Sequence, residues 1–259
     1  MTLSKSCVAL TVCIAYGTVC PLAGSGTARD VTLAYELPDR VTLHEPIVLD
    51  IVIDNASGHP VGVHLGWHRV GNFHLTLVKP NGDVVSPRSQ DPEGVAPLDT
   101  FSIEPSTRHT QWMVLNAFFD FDTAGQYELG VQFSGTIRAA TDAMVRADRS
   151  RTLSITILPR DEATLRTTCN RLAAIATQSM NAERSMRAAT ALAWTVDPVA
   201  VPWLRDVAQS SRAQYEAIVG LGRIGNPQAR EVLESLTFSH LPDVAAAARA
   251  QLRRLAMRR

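Results

Sequence analysis

Lysine is almost missing from this chain. Beyond Lys5 only Lys79 remains, and arginine supplies every other strong cation. Alongside so many alanines this usage reads as coding bias, so an arginine is not by itself a sign of an anion site. Net charge is missing too. Lys+Arg and Asp+Glu both total 25, and no overall field steers the chain toward nucleic acid. Cysteine is scarce: Cys7, Cys13 and Cys20 crowd the N-terminus and Cys169 stands alone. One cysteine forms no internal disulfide, so a chain trimmed of its start must be held by its cores. The apolar run from Cys7 to Ala15 is interrupted by Thr11 and followed by Tyr16, Gly17 and Thr18. It falls short of the ~20 apolar residues that a membrane span needs.

Catalytic motifs are absent as well. The chain has no G-x-S-x-G elbow, no H-E-x-x-H and no phosphate loop. It is therefore read as a non-enzyme, and no cofactor is expected. Asp120 and Asp122 around Phe121 could pass for a carboxylate pair, but they are read as the end of a strand beside the Gly125 turn. Cys169, between Leu165 and Leu172, is expected to be a buried apolar filler rather than a reactive thiol.

What is present begins with an export signature. Lys5 and the α-amino group precede the apolar run, and Pro21 and Gly24 break it. Gly26 and Ala28 are small at the −3 and −1 positions of a cut after Ala28. The expectation is a signal peptide over 1–28, no stable span after cleavage, and a periplasmic or extracellular location in a bacterial envelope.

From 29 to 159 the pattern is strand. Ile47, Leu49, Ile51 and Ile53 alternate with Val48, Asp50, Val52 and Asp54, a period of two. Further alternations follow at 61–65, 73–77, 111–115, 127–133 and 153–157. Turn clusters separate them, among them Pro80-Asn81-Gly82-Asp83, where Asn-Gly suits a tight hairpin. Short strands with no helical pattern between them predict an antiparallel β-sandwich. From Arg29 to Arg160 the chain carries 11 basic against 16 acidic residues, and from Asp161 to Arg259 it carries 13 against 9.

From 160 to 259 the period turns helical and repeats. A shift of 29 pairs Ala188 with Ala217, Leu192 with Leu221, Asp197-Pro198 with Asn226-Pro227, Ala200 with Ala229 and Leu204 with Leu233. With two more residues in the last turn, Ala248, Leu252 and Leu255 fall in line. Asp197 and Asn226 read as N-caps followed by proline, Ser211-Arg212-Ala213-Gln214 as a capping box, and Gly225 as a helix stop. The pattern predicts about three helix pairs, near the minimum for a stable array. Within it Leu221 is expected in the core and Arg223 turned toward solvent.

Two resemblances follow from these residues. Glu45-Pro46-Ile47-Val48-Leu49 through Asn55, and Ala124-Gly125-Gln126-Tyr127-Glu128-Leu129, resemble exported immunoglobulin-like domains. That likeness implies a corner hydrogen bond from Tyr127 back to the backbone. Ala217-Ile218-Val219-Gly220-Leu221-Gly222-Arg223-Ile224-Gly225-Asn226-Pro227 is similar to HEAT-like repeats of the kind first noted in phycobilisome lyases. It implies an array that presents a surface to another protein.

The reading is then a binding or scaffold protein with a protein partner and no nucleic acid. Trp194 and Trp203, flanking the Asp197-Pro198 turn, and basic Arg253 and Arg254 are the candidate contact residues. The alternative is a small-ligand or metal-handling module built on the His59–His74 segment, with His64, His68 and His74 as ligands. An unbroken strand would hold His64 and His68 about 13 Å apart. Only a bend at Gly66 would bring them to one ion.

Overall fold

The computed structural model describes residues 31–66, 71–88, 100–139, 150–210 and 212–257. The predicted signal peptide and His68 lie outside the described residues. No helix among those described is long and apolar enough to cross a membrane.

The strands of the first half are β1 (Val31–Glu36), β2 (Arg40–Thr42), β3 (Val48–Asn55), β4 (Val61–His64), β5 (Phe73–Val78), β6 (Val84–Val85), β7 (Thr100–Ile103), β8 (Thr107–Val114), β9 (Gly125–Phe133), β10 (Thr136–Ala139) and β11 (Ser150–Leu158). They form three sheets, ordered β1-β3-β8, β10-β4-β7 and β2-β11-β9-β5-β6. Pairing is antiparallel except where β11 runs parallel to β2, Thr156 opposite Arg40. The period of two seen in β3 is the reason it sits where it does. Ile47, Leu49, Ile51 and Ile53 are all fully buried, against Leu77, Leu129 and Ile155 of the facing sheet in one core. The opposite face of β3 carries Val48 and Asp50 outward.

Two signature residues of this half hold corners. Tyr127, fully buried, donates from its hydroxyl to the Thr123 carbonyl at 2.9 Å, the bond that the resemblance implied. Asn55 ends β3 with no exposed surface and donates its side-chain amide to the carbonyls of His59, Ile103 and Glu104 at 2.9–3.1 Å. It ties the turn after β3 to the end of β7, so that sheets β1-β3-β8 and β10-β4-β7 meet without orphaned carbonyls. Asp120 and Asp122 do not end a strand. They lie in the loop between the short 3-10 turn Leu115–Ala117 and β9, each with its own cation: Arg88 at 2.9 Å and Lys79 at 3.2 Å.

Six helices follow among the described residues: α1 (Glu162–Gln178), α2 (Ala182–Ala193), α3 (Val201–Ser210), α4 (Gln214–Ile224), α5 (Pro227–Leu236) and α6 (Pro242–Met257), with a 3-10 turn at Pro198–Ala200 before α3. They make three pairs around a second core. The architecture is thus an immunoglobulin-like β-sandwich followed by a short α-solenoid of three HEAT-like pairs. The repeat-matched residues share environments: Ala200 with Ala229, Leu204 with Leu233 and Leu192 with Leu221 are each wholly buried. Asp197 and Asn226 cap as expected, accepting from the N–H of Val199 and of Ala229. Gly225 ends α4 at φ 62°, a left-handed conformation that glycine tolerates.

One cap differs from expectation. Helix α4 begins at Gln214 with Ala213 before it and no side-chain cap bond, and Ser211, where the capping box was expected, lies outside the described residues. The middle helix compensates by packing tightly on both sides. A Cβ at Gly220 would come within 2.7 Å of the Ala193 backbone in α2, and one at Gly222 would collide with Gln251 of α6. Two glycines cost helix propensity of about 1 kcal/mol each, and here they let neighbouring pairs approach closely.

Candidate functional site

The linker from sandwich to array is only three residues long, and side chains from both halves grip it. The Thr42 hydroxyl donates to the Pro159 carbonyl at 2.7 Å and accepts the Asp161 N–H at 2.8 Å. Asp161 in turn caps α1 through Ala163 N–H and the Thr164 hydroxyl, and these bonds hold its carboxyl below the ordinary range. Glu45 bridges the junction, one oxygen on Thr42 N–H and the other on the Thr168 hydroxyl of α1 at 2.6 Å. Farther along, Arg187 of α2 reaches Asp50 of β3 at 2.6 Å.

The centre of the junction is Asp197. Only 1% of its surface is exposed, yet four donors meet it. Arg160 approaches with Nε at 2.7 Å and Nη2 at 3.1 Å, a fork on both oxygens. His44 Nδ1 lies 2.9 Å from Oδ2, and Val199 N–H donates at 3.0 Å. Burial alone would raise this carboxyl. The hydrogen bonds from Arg160, His44 and Val199 outweigh it and hold Asp197 well below the usual carboxylate range. His44 adopts φ 74°, a left-handed backbone rare outside glycine, and its ring is thereby aimed at the clasp.

Two clefts open along this junction. The larger, about 980 Å³, lies between the outward face of sheet β1-β3-β8 and helices α1 and α2. The sheet contributes Glu36, Asp50, Arg108 and Trp112, and the helices Arg171, Leu172, Ile175 and Arg184. The smaller, about 380 Å³, has His44, Asn116, Phe121 and Trp194 in its wall.

Trp194 lies half-buried in that smaller cleft with the Arg223 guanidinium 3.6 Å above its ring. Arg223 also donates to the Ala193 carbonyl at 3.2 Å. The expectation that Arg223 points to solvent is therefore wrong. It is covered by the tryptophan that ends α2, and burial pulls it down to about 10, against the opposing pull of Glu216 and Tyr215. Glu216 is pushed up by the same burial, with Arg223 working against the rise. Trp203 packs half-buried on the helical core, away from Trp194's cleft. Arg253 and Arg254 are exposed near the end of α6 and line neither cleft. The four candidate contact residues are thus not gathered on one surface.

The histidine segment is equally dispersed. His59 is exposed in a turn, His74 is exposed on β5 opposite Gln132, and His64 Nδ1 meets the Asn72 amide at 3.0 Å. The chain does bend at Gly66, where φ is 78°. Among the described residues no group of three His, Cys, Asp or Glu is placed to hold a metal ion. Cys169 is fully buried, and desolvation drives its thiol up to about 12.

Comparisons add the following. Residues 169–253, less than half of the chain, match the family model for HEAT repeats. No curated protein matches the sequence. Among solved structures, the CARDB domain of a Pyrococcus furiosus protein in complex with di-metal ions is similar at 13% identity and a TM-score of 0.29, over 56% of this chain and 100% of that one. A Listeria innocua beta-glucosidase with isofagomine is similar at 12% identity and a TM-score of 0.26, over 49% of this chain and 16% of that one. Native E. coli alpha-2-macroglobulin is similar at 12% identity and a TM-score of 0.31, over 87% of this chain and 17% of that one. The architecture itself rests on the chain's own strand pairing and helix stacking, and the array alone carries a family match.

Proposed function

We propose that this chain is a non-enzymatic binding or scaffold protein, exported to a bacterial envelope, whose helical array and sandwich together present a surface to another protein. The observation that supports it is the array of three HEAT-like pairs, fastened to the sandwich through Asp197. A solenoid buries its apolar faces only between neighbours and leaves extended surfaces for partners. Two acidic groups at the junction are engaged in holding the two halves together. Asp197 is bound by Arg160 and His44, and Asp50 by Arg187, which suits a fixed platform better than a reacting centre.

Export is supported by the signal-like residues 1–28, and N-terminal sequencing of the mature protein should begin at Arg29. The binding role is tested by placing a photocrosslinking residue at Phe238, 88% exposed in the turn between α5 and α6, and at Met180, 93% exposed between α1 and α2. Illumination in the native host should trap a discrete protein adduct in the envelope fraction. A product that retains Met1, or no adduct from any exposed face, would refute the corresponding half of the proposal.

A further inference from the structure

The larger junction cleft carries a charge pattern that its own residues leave unanswered. Two of the four carboxylates that line it are already occupied: Asp50 is bound by Arg187, and Glu45 accepts from Thr42 and Thr168. Arg108 is paired with Asp54 at 3.2 Å. That leaves Arg40 from β2, Arg171 from α1 and Arg184 from α2, all exposed and none with a carboxylate in ion-pair reach among the described residues. Among the described residues Glu36 and Glu183, neither in an ion pair, oppose them. Three guanidinium groups from three separate elements thus face one space without partners.

The rest of the lining is not purely polar. Trp112 is half-buried on the sheet wall, and Leu172 and Ile175 stand half-buried on α1 across from it. A planar guanidinium matches a carboxylate bidentately, and a tryptophan face with two aliphatic side chains takes an apolar group. The volume, about 980 Å³, and the position between two domains are those of a ligand-accepting cleft.

We propose that this cleft is where the partner docks, and that its occupant is an extended acidic peptide segment of the partner. Its carboxylates meet Arg40, Arg171 and Arg184, and its intervening apolar side chains rest on Trp112, Leu172 and Ile175. The inference rests on the protein-binding reading above and supplies the site and the chemistry of the partner.

The test uses the full mature chain and a fluorescein-labelled peptide that alternates glutamate with leucine, titrated by anisotropy. Its lysine-leucine counterpart is the charge control. The glutamate peptide should bind and weaken as salt is raised, because exposed charge pairs are screened. The lysine peptide should not bind. Arg171→Glu with Arg184→Glu should weaken the glutamate peptide at least about tenfold, about 1.4 kcal/mol. Arg212→Glu, exposed before α4 and lining neither cleft, should leave affinity unchanged, and circular dichroism should show all variants folded. Equal binding of both peptides, no binding of either, or undiminished binding by the double variant would overturn the inference. None of those results touches the broader reading, which falls only if the crosslinks at Phe238 and Met180 also trap no protein.

Discussion

Asp197 is the residue through which the two halves of this protein depend on each other, and its replacement by asparagine separates two roles. Asparagine still accepts from Val199 N–H, so the cap survives. What goes is the charge that faces Arg160 at 2.7 and 3.1 Å and His44 at 2.9 Å. Removing one partner of a fully buried pair costs about 3–5 kcal/mol. Arg160 remains 39% exposed and His44 37% exposed, so water can recover part of their solvation. About 2–3 kcal/mol is therefore expected, in line with hydrogen bonds to charged groups. The repeat supplies its own control. Asn226→Ala at the equivalent position removes a cap with no clasp, and should cost about 1 kcal/mol. Urea titrations followed separately by helix ellipticity and by tryptophan fluorescence measure both. A double-mutant cycle with Arg160→Gln should return a coupling above about 1 kcal/mol. An Asp197→Asn cost no larger than that of Asn226→Ala, or no coupling to Arg160, would refute the clasp. The pH dependence carries a definite sign. A carboxyl held below its unfolded value contributes stability that is complete above that value, near 4, and is lost as pH falls further. The variant should differ from wild type most at neutral pH and converge with it in strong acid.

Three further outcomes are expected. Leu221→Ala empties a wholly buried position in the middle helix and should cost about 2–5 kcal/mol, melting the array while the sandwich keeps its strand signal in thermal circular dichroism. Arg223→Ala, which loses the stack on Trp194 and the bond to Ala193, should cost about 1–2 kcal/mol by the same melts; a cost near zero would mean that the stack contributes nothing. Cys169, with its thiol driven up to about 12, should resist iodoacetamide at pH 8 in the native protein and react once urea unfolds the array.

Local patterns made most of the architecture legible. The period of two in β3, the 29-residue repeat, the Asn226-Pro227 cap and Gly225 each act within a few residues, so their physics is written in adjacent letters. Tyr127's corner bond came from the resemblance to immunoglobulin-like domains, and its acceptor lies four positions away. The junction was not. Asp197 meets His44 across 153 positions and Arg160 across 37, and nothing in the composition distinguishes that aspartate from the asparagine at its repeat equivalent. Arg223 was misjudged because a helical wheel knows only its own helix. Trp194, at the end of α2, covers what the wheel leaves open. Trp194 and Trp203, neighbours in sequence, part company because the turn between them sends one to the junction and the other to the helical core.

The parallel pairing of β11 with β2 has a bearing on the order in which this chain assembles. Strand β11 is an internal member of its sheet, between β2 and β9, and it is the last strand to be synthesised. Contacts between segments so distant in sequence form slowly, whereas helix pairs close mostly local contacts and form fast. The array can therefore be helical before the sandwich is sealed. Its first helix hangs from β11 by three residues, so a preformed helical body is carried to the sheet as β11 slots into place. On that order the clasp at Asp197 is expected to close last, once both halves are complete.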